Sequence, residues 1–216
     1  MSAYLDLYDY RQRVAAMYAE RRSSLLGGEN PEMVWRRFRL RRDQLFHEHP
    51  QSALDEQQRS AFGGLVYFPY RPTFCVPARI EVESGPAALS VAMDASTEMT
   101  MTTVARLHFS IQGQEAILAL YWLNVYGGGL FLPFRDPTGP AESYGGGRYL
   151  FDTIKGSDFL PAPGADAQRF LLLDFNYAYN PSCAYNKRWV CPLAPPENRL
   201  DIAIRAGEKA FHQVGS

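Results

Sequence analysis

The residues best suited to chemistry in this chain fall in two segments. The first, from Tyr126 to Leu150, carries Arg135, Asp136 and Tyr144 between two triple-glycine runs, with Arg148 and Tyr149 directly after the second. Arginine offers a planar fork of donors that binds carboxylate or phosphate at two points, and tyrosine adds a hydroxyl and a flat apolar face. With Asp136 orienting one arginine, this set reads as a polar pocket for an anionic ligand. It reads equally as a buried Arg–Asp pair that pins a long loop to a sheet. A triple glycine marks positive φ or close backbone approach. No helical pattern follows Gly147 with the spacing of a phosphate loop, so the run does not indicate a nucleotide.

The second segment, from Leu173 to Leu200, holds Asp174, Asn176, Tyr179, Asn180, Cys183, Cys191 and Glu197, with proline at 181, 192, 195 and 196. So many fixed φ angles imply an ordered loop, the usual place for binding groups. Cys183 and Cys191 are too far apart in sequence for a zinc knuckle or a thioredoxin-like motif, although a doubled-back loop would bring them together. A metal would need a third ligand from His47, His49 or His108, and a Cys183 nucleophile would need the same histidines as its base. His49, just before Pro50, is best placed for this, or else caps helix carbonyls. Asp136, Asp174 and Glu197 are the acids available for an acid–base pair. No metal is assigned from these residues, and no cofactor is identified.

Helices and strands must position these groups. Leu7, Tyr10, Val14 and Met17 mark one helical stripe over 4–22, stopped by Gly27 and Gly28. A second helix starts at Asn30-Pro31-Glu32, an N-cap, a proline at the first position and an acid for the dipole, and ends before Pro50. Trp35, Phe38, Leu45 and Phe46 form its buried face; Arg36, Arg37, Arg39, Arg41 and Arg42 crowd the rest, which reads as a salt-bridged, solvated surface. Beyond residue 63, short strands are expected at 74–82, 89–93, 107–111, 115–125, 129–134, 148–151, 169–175 and 200–204, with a turn at Gln112-Gly113. Strands without intervening amphipathic helices predict an antiparallel sandwich or barrel, mainly β, packed by two N-terminal helices in an α+β arrangement. No repeat or long linker appears, so 1–216 is read as one domain, a helical 1–60 region on a 63–210 β unit.

The whole-chain arithmetic narrows the function classes. With 216 residues, 22 basic and 23 acidic side chains and 46% hydrophobic residues, the chain can bury a proper core. A net charge of −1, even along the chain, excludes the broad basic footprint of nucleic-acid binding. The N-terminus lacks a secretory pattern and no apolar run spans a bilayer, so no membrane is expected and the reading is cytoplasmic, with three cysteines as thiols.

Phe134-Arg-Asp with Tyr144-Gly-Gly-Gly-Arg-Tyr-Leu150, the run Asp174-Phe-Asn-Tyr-Ala-Tyr-Asn-Pro-Ser-Cys-Ala-Tyr185 and Cys191-Pro-Leu-Ala-Pro-Pro-Glu-Asn-Arg-Leu200 resemble a bacterial and archaeal family, domain of unknown function sixteen eighty-four. Tyr10-Arg11, His49-Pro50-Gln-Ser52 and Ala206-Gly207-Glu208 look similar too. The resemblance implies that the polar residues of these motifs belong to a shared pattern, and it brings no activity with it. The leading expectation is a small polar or anionic ligand between the 134–150 and 174–199 loops, held by Arg135, Asp136, Tyr144, Arg148, Tyr149, Asp174, Asn176, Tyr179, Asn180 and Cys183. The alternatives are a hydrolase or transferase using Cys183 or the acids, and a protein-interaction module that uses the Arg-rich helix.

Overall fold

A computed structural model describes residues 2–85, 87–93, 98–162 and 169–212. Helix α1 spans Ala3–Leu26 and α2 spans Pro31–Glu48. The Asn30 side chain accepts from the Glu32 and Met33 amides, so the predicted cap is formed. A short helix absent from the sequence reading, α3 (Glu56–Ser60), opens on an Asp55/Gln58 capping box. Among the described residues no helix is long and apolar enough to cross a membrane.

The strands are β1 (Cys75–Val82), β2 (Ala88–Ala92), β3 (Glu98–Ile111), β4 (Gln114–Leu123), β5 (Gly129–Phe134), β6 (Arg148–Asp152), β7 (Leu160–Pro161) and β8 (Phe170–Asp174). All pair antiparallel in one sheet ordered β6-β5-β4-β3-β1-β8-β7, with β2 on β3. The sheet curls into a half-barrel, and α1 and α2 pack against it. The β3–β4 hairpin turns at Gln112 and Gly113, both at positive φ, the backbone twist that suits a two-residue hairpin.

Along β3 every second residue from Met101 to Ile111 is buried, while Leu118 to Tyr121 of β4 are buried on both faces. A bulge between Thr103 and Ala105 shifts the register. Leu107, Phe109, Leu118, Leu120, Phe134, Leu173 and Phe175 share one core; Met101, Tyr121, Leu123, Phe131 and Tyr149 form another. Val14, Met17, Tyr18, Trp35, Phe38 and Leu45 join the helices to Tyr177, and the Trp35 indole donates to the Asn176 carbonyl at 2.9 Å.

Two expectations are corrected. Residues 200–204 are not a strand, although Leu200, Ile202 and Ile204 alternate inward. The Ile204 amide donates to Asp136 and the Ile204 carbonyl accepts from Arg148, so side chains take the place of a neighbouring strand. Arg42 does not belong to the solvated face of α2: it is buried and paired with Glu208. The other arginines of that helix behave as expected, Arg36 with Glu32, Arg37 with Glu20 and Glu29, and Arg41 with Glu20, while Arg39 lies over the Trp35 and Tyr67 rings.

Candidate functional site

The two motif segments do converge. Tyr149 and Tyr179 exchange backbone hydrogen bonds at 2.8 and 3.0 Å, and the backbone of Arg135 pairs with Asn198 and Leu200. The Tyr149 hydroxyl donates to the Pro192 carbonyl. Asn198 is fully buried where β4 and β5 part: its side chain pairs with both backbone groups of Ala119 and donates to the Pro133 carbonyl. Proline lacks an amide to continue the ladder, so the amide side chain fills the gap.

Arg148, the first residue of β6, points inward and is 1% exposed. Its guanidinium donates to Asp136 Oδ1 at 2.9 Å and to the carbonyls of Ile204, Ala206 and Glu208, and it lies over the Phe134 ring. The second oxygen of Asp136 accepts from the amides of Thr138 and Ile204. These two residues therefore clamp the 204–208 backbone to the sheet. Gly147, at φ +98°, allows the approach, since a Cβ there would lie 2.7 Å from the Phe134 carbonyl oxygen. Arg135 is less engaged, with one side-chain bond to the Gly146 carbonyl at 3.3 Å.

The clamp delivers Glu208 into the interior. Gly207 precedes it at φ +77°, packed so that a Cβ would stand 2.5 Å from the Ala178 carbonyl oxygen. The Glu208 carboxylate accepts from Arg42 Nε at 2.6 Å, the Tyr67 hydroxyl at 3.1 Å, the Asn180 amide at 2.9 Å and the Tyr185 hydroxyl. Beside this hub lies a cavity of about 60 Å³. Tyr10, Val14 and Tyr18 of α1 and Arg42 and Phe46 of α2 form one wall; Tyr149, Tyr179, Asn180, Ser182 and Tyr185 form the other, with Lys155 and Ser157 beside them. Burial pushes Tyr18 up to about 12 and Tyr179 well above its ordinary value, so these phenols stay neutral. Among the described residues, Arg42 donates only through Nε, and the buried Asn180 Oδ1 has no partner. A larger cleft of about 650 Å³ opens between residues 55–66, Ala141–Glu142 and 208–212. None of the ten residues singled out in the sequence lines it, whereas Tyr149, Tyr179 and Asn180 line the smaller cavity.

Asp174 and Asn176 lie elsewhere, under α2. Asn176 is fully buried; its side chain pairs with both backbone groups of Arg71 and with Asp174. Burial raises the Asp174 carboxyl from 3.8 despite bonds from Asn176. A raised carboxyl means that the folded chain takes up this proton more readily than the unfolded one. Its contribution then favours folding below the ordinary value and is lost as pH rises through the folded value. Asp174→Asn keeps the acceptor for Asn176, so urea midpoints should show the variant gaining on wild type from about pH 3 to about pH 7. A constant difference would mean that Asp174 does not carry this linkage.

The acids of the enzyme reading are dispersed. Asp136 is held by Arg148, Asp174 by Asn176, and Glu197 accepts from the Tyr121 hydroxyl at 2.6 Å. The histidines have other partners. His49 does not cap carbonyls: its Nδ1 accepts from the Gln51 amide, and its Nε2 meets Asp9 at 3.0 Å, tying α1 to the end of α2. His108 faces Glu81 and His47 stacks on Phe62. Among the described residues no three metal-ligating side chains cluster. Cys183 meets the Tyr144 hydroxyl at 3.6 Å, and its backbone amide donates to Cys191 Sγ at 3.4 Å.

The sequence reading missed Glu208, Arg42, Tyr18 and Tyr185. Arg42 carried a usable signal, because it lies seven residues from Trp35 and four from Phe38, on the apolar face of α2.

Residues 60–209 match a family described as Protein of unknown function (DUF1684). Tyr10 and His49-Pro50, two of the points of resemblance, lie outside that match. The solution NMR structure of an uncharacterized protein from gene locus rrnAC0354 of Haloarcula marismortui is 34% identical, covering 82% of this chain and 93% of that one with a TM-score of 0.58. No curated protein matches the chain. The motifs at 134–150, 174–200 and 206–208, all inside the matched region, are those that build the clamp and the Glu208 hub: the chain belongs to the DUF1684 family.

Proposed function

We propose that this protein binds a small polar or anionic ligand where Tyr149 and the 179–185 segment face α1 and α2. The observation that carries the reading is Arg42: a buried guanidinium anchored to Glu208 through Nε, with its two terminal nitrogens free of hydrogen-bond partners among the described residues, at the wall of a cavity. A fork of this kind suits a carboxylate or phosphate oxygen pair. Tyr10 and Tyr18 line the same cavity and supply hydroxyls for further polar contacts, and Lys155, paired with Asp152, adds positive charge beside it. A volume of about 60 Å³ accommodates a few water molecules or a group the size of an oxyanion. Arg135, Tyr144, Arg148, Asp174 and Asn176 then support the ligand site through the scaffold, and Tyr149, Tyr179 and Asn180 line it.

Calorimetry with sodium phosphate and with sodium acetate, at constant ionic strength, tests this. Wild type should bind one of the two saturably. Tyr18→Phe removes a hydroxyl that has no protein partner among the described residues, so it should leave the melting temperature unchanged and weaken binding about tenfold. Equal affinity in Tyr18→Phe, or no binding of either anion, would remove this cavity as the site.

A further inference from the structure

Cys183 and Cys191 bracket a loop that holds the link between α2 and α3: Arg188 donates to the Ser52 and Leu54 carbonyls and Trp189 to the Ala53 carbonyl. The bracket closes where the Cys183 backbone meets the Cys191 sulfur. Cys191, 5% exposed, receives the Cys183 backbone amide on its Sγ at 3.4 Å. Hydrogen bonding from Cys183 favours the charged form of Cys191 and lowers it, while the same contact raises Cys183. The negative charge of the pair is thus favoured on Cys191 and the proton on Cys183. Cys183 is the more accessible of the pair, and the Tyr144 hydroxyl meets it from the 134–150 loop.

We propose that Cys183 and Cys191 form a reversible dithiol–disulfide site that exchanges with a small-molecule disulfide. This site adjoins the ligand cavity, which Ser182 and Lys155 also line, but its chemistry does not require a bound ligand. Cys183, the more accessible sulfur, passes its proton to the Cys191 thiolate and, as thiolate, attacks one sulfur of RSSR, forming a mixed disulfide and expelling RS⁻. That RS⁻ takes the proton from Cys191. The Cys191 thiolate then attacks Cys183 Sγ, expelling a second RS⁻ and closing the protein disulfide. The balance is one singly protonated dithiol plus RSSR to one protein disulfide, RSH and RS⁻, with the protein oxidised and the small disulfide reduced. No histidine base is needed.

Oxidised glutathione is the probe. The native full chain, treated and then quenched in acid, should lose two of its three thiols. Peptide mapping should find a Cys183–Cys191 link without bound glutathione, and dithiothreitol should restore both thiols. Cys75, pushed up to about 12 by burial and Asp174, should stay free. Cys191→Ala should stop at one glutathione adduct on Cys183. Retention of all three thiols in the wild-type chain, or separate adducts on Cys183 and Cys191 with no link between them, would overturn the proposal whether or not the variant folds.

Discussion

Arg148→Ala should lower the melting temperature by roughly 10 °C, a loss of about 3–5 kcal/mol in a chain of this size. The substitution leaves the buried Asp136 carboxylate without its counter-ion and the carbonyls of Ile204, Ala206 and Glu208 without the Arg148 donors. The segment it releases contributes Ile204 and Ala206 to the main core and carries Glu208. Arg148→Lys should recover little, because a point donor on a flexible stem cannot reproduce a fork that serves four acceptors. Arg135→Ala gives the contrast: one long bond to the Gly146 carbonyl is lost, and the cost should stay within about 1 kcal/mol. Thermal melts of the three variants decide the matter; an Arg148→Ala protein as stable as Arg135→Ala would refute the clamp.

Glu208→Gln should cost about 3–5 kcal/mol, nearly as much, although it changes one atom. Each carboxylate oxygen receives two donors: Arg42 Nε and the Tyr67 hydroxyl on Oε1, the Asn180 amide and the Tyr185 hydroxyl on Oε2. A glutamine places an NH₂ against one pair of donors whichever way it is turned, and it leaves Arg42 buried without a counter-charge. Adding Arg42→Met should return part of the loss, since removing both members of a buried pair costs less than removing one. Chemical denaturation of the single and double variants should give a coupling of about 1–3 kcal/mol. Strict additivity would mean that Arg42 and Glu208 do not act as a pair.

How much of this was legible depended on distance along the chain. The Asn30 cap, the Gln112-Gly113 turn, the bounds of β5 and the buried face of α2 follow from local chemistry, and the structure contains them. Residues 200–204 show the limit. Alternation marked the inward side chains correctly, but a strand also needs a neighbour with free backbone groups, and here Asp136 and Arg148 occupy those positions. Arg42 shows it again: composition placed it with the exposed arginines, because its counter-ion stands 166 residues later. The candidate site was legible by halves. Both loops were identified and they meet at Tyr149 and Tyr179, but the wall that faces them comes from α1 and α2.

By itself, then, the sequence determined the α+β class, the antiparallel pattern, the caps and turns, and the two segments in which polar side chains are held in order. These depend on propensity, periodicity and charge, which act over a few residues. Only the tertiary structure decided the partner of each buried charge, because pairing in the interior depends on which groups lose water together. It assigned Arg148 to the backbone of 204–208, Glu208 to Arg42 and three further donors, and Cys183 to Cys191. It placed Arg42, anchored through Nε alone among the described residues, in the wall of the cavity between helices and sheet, where the proposed ligand would sit.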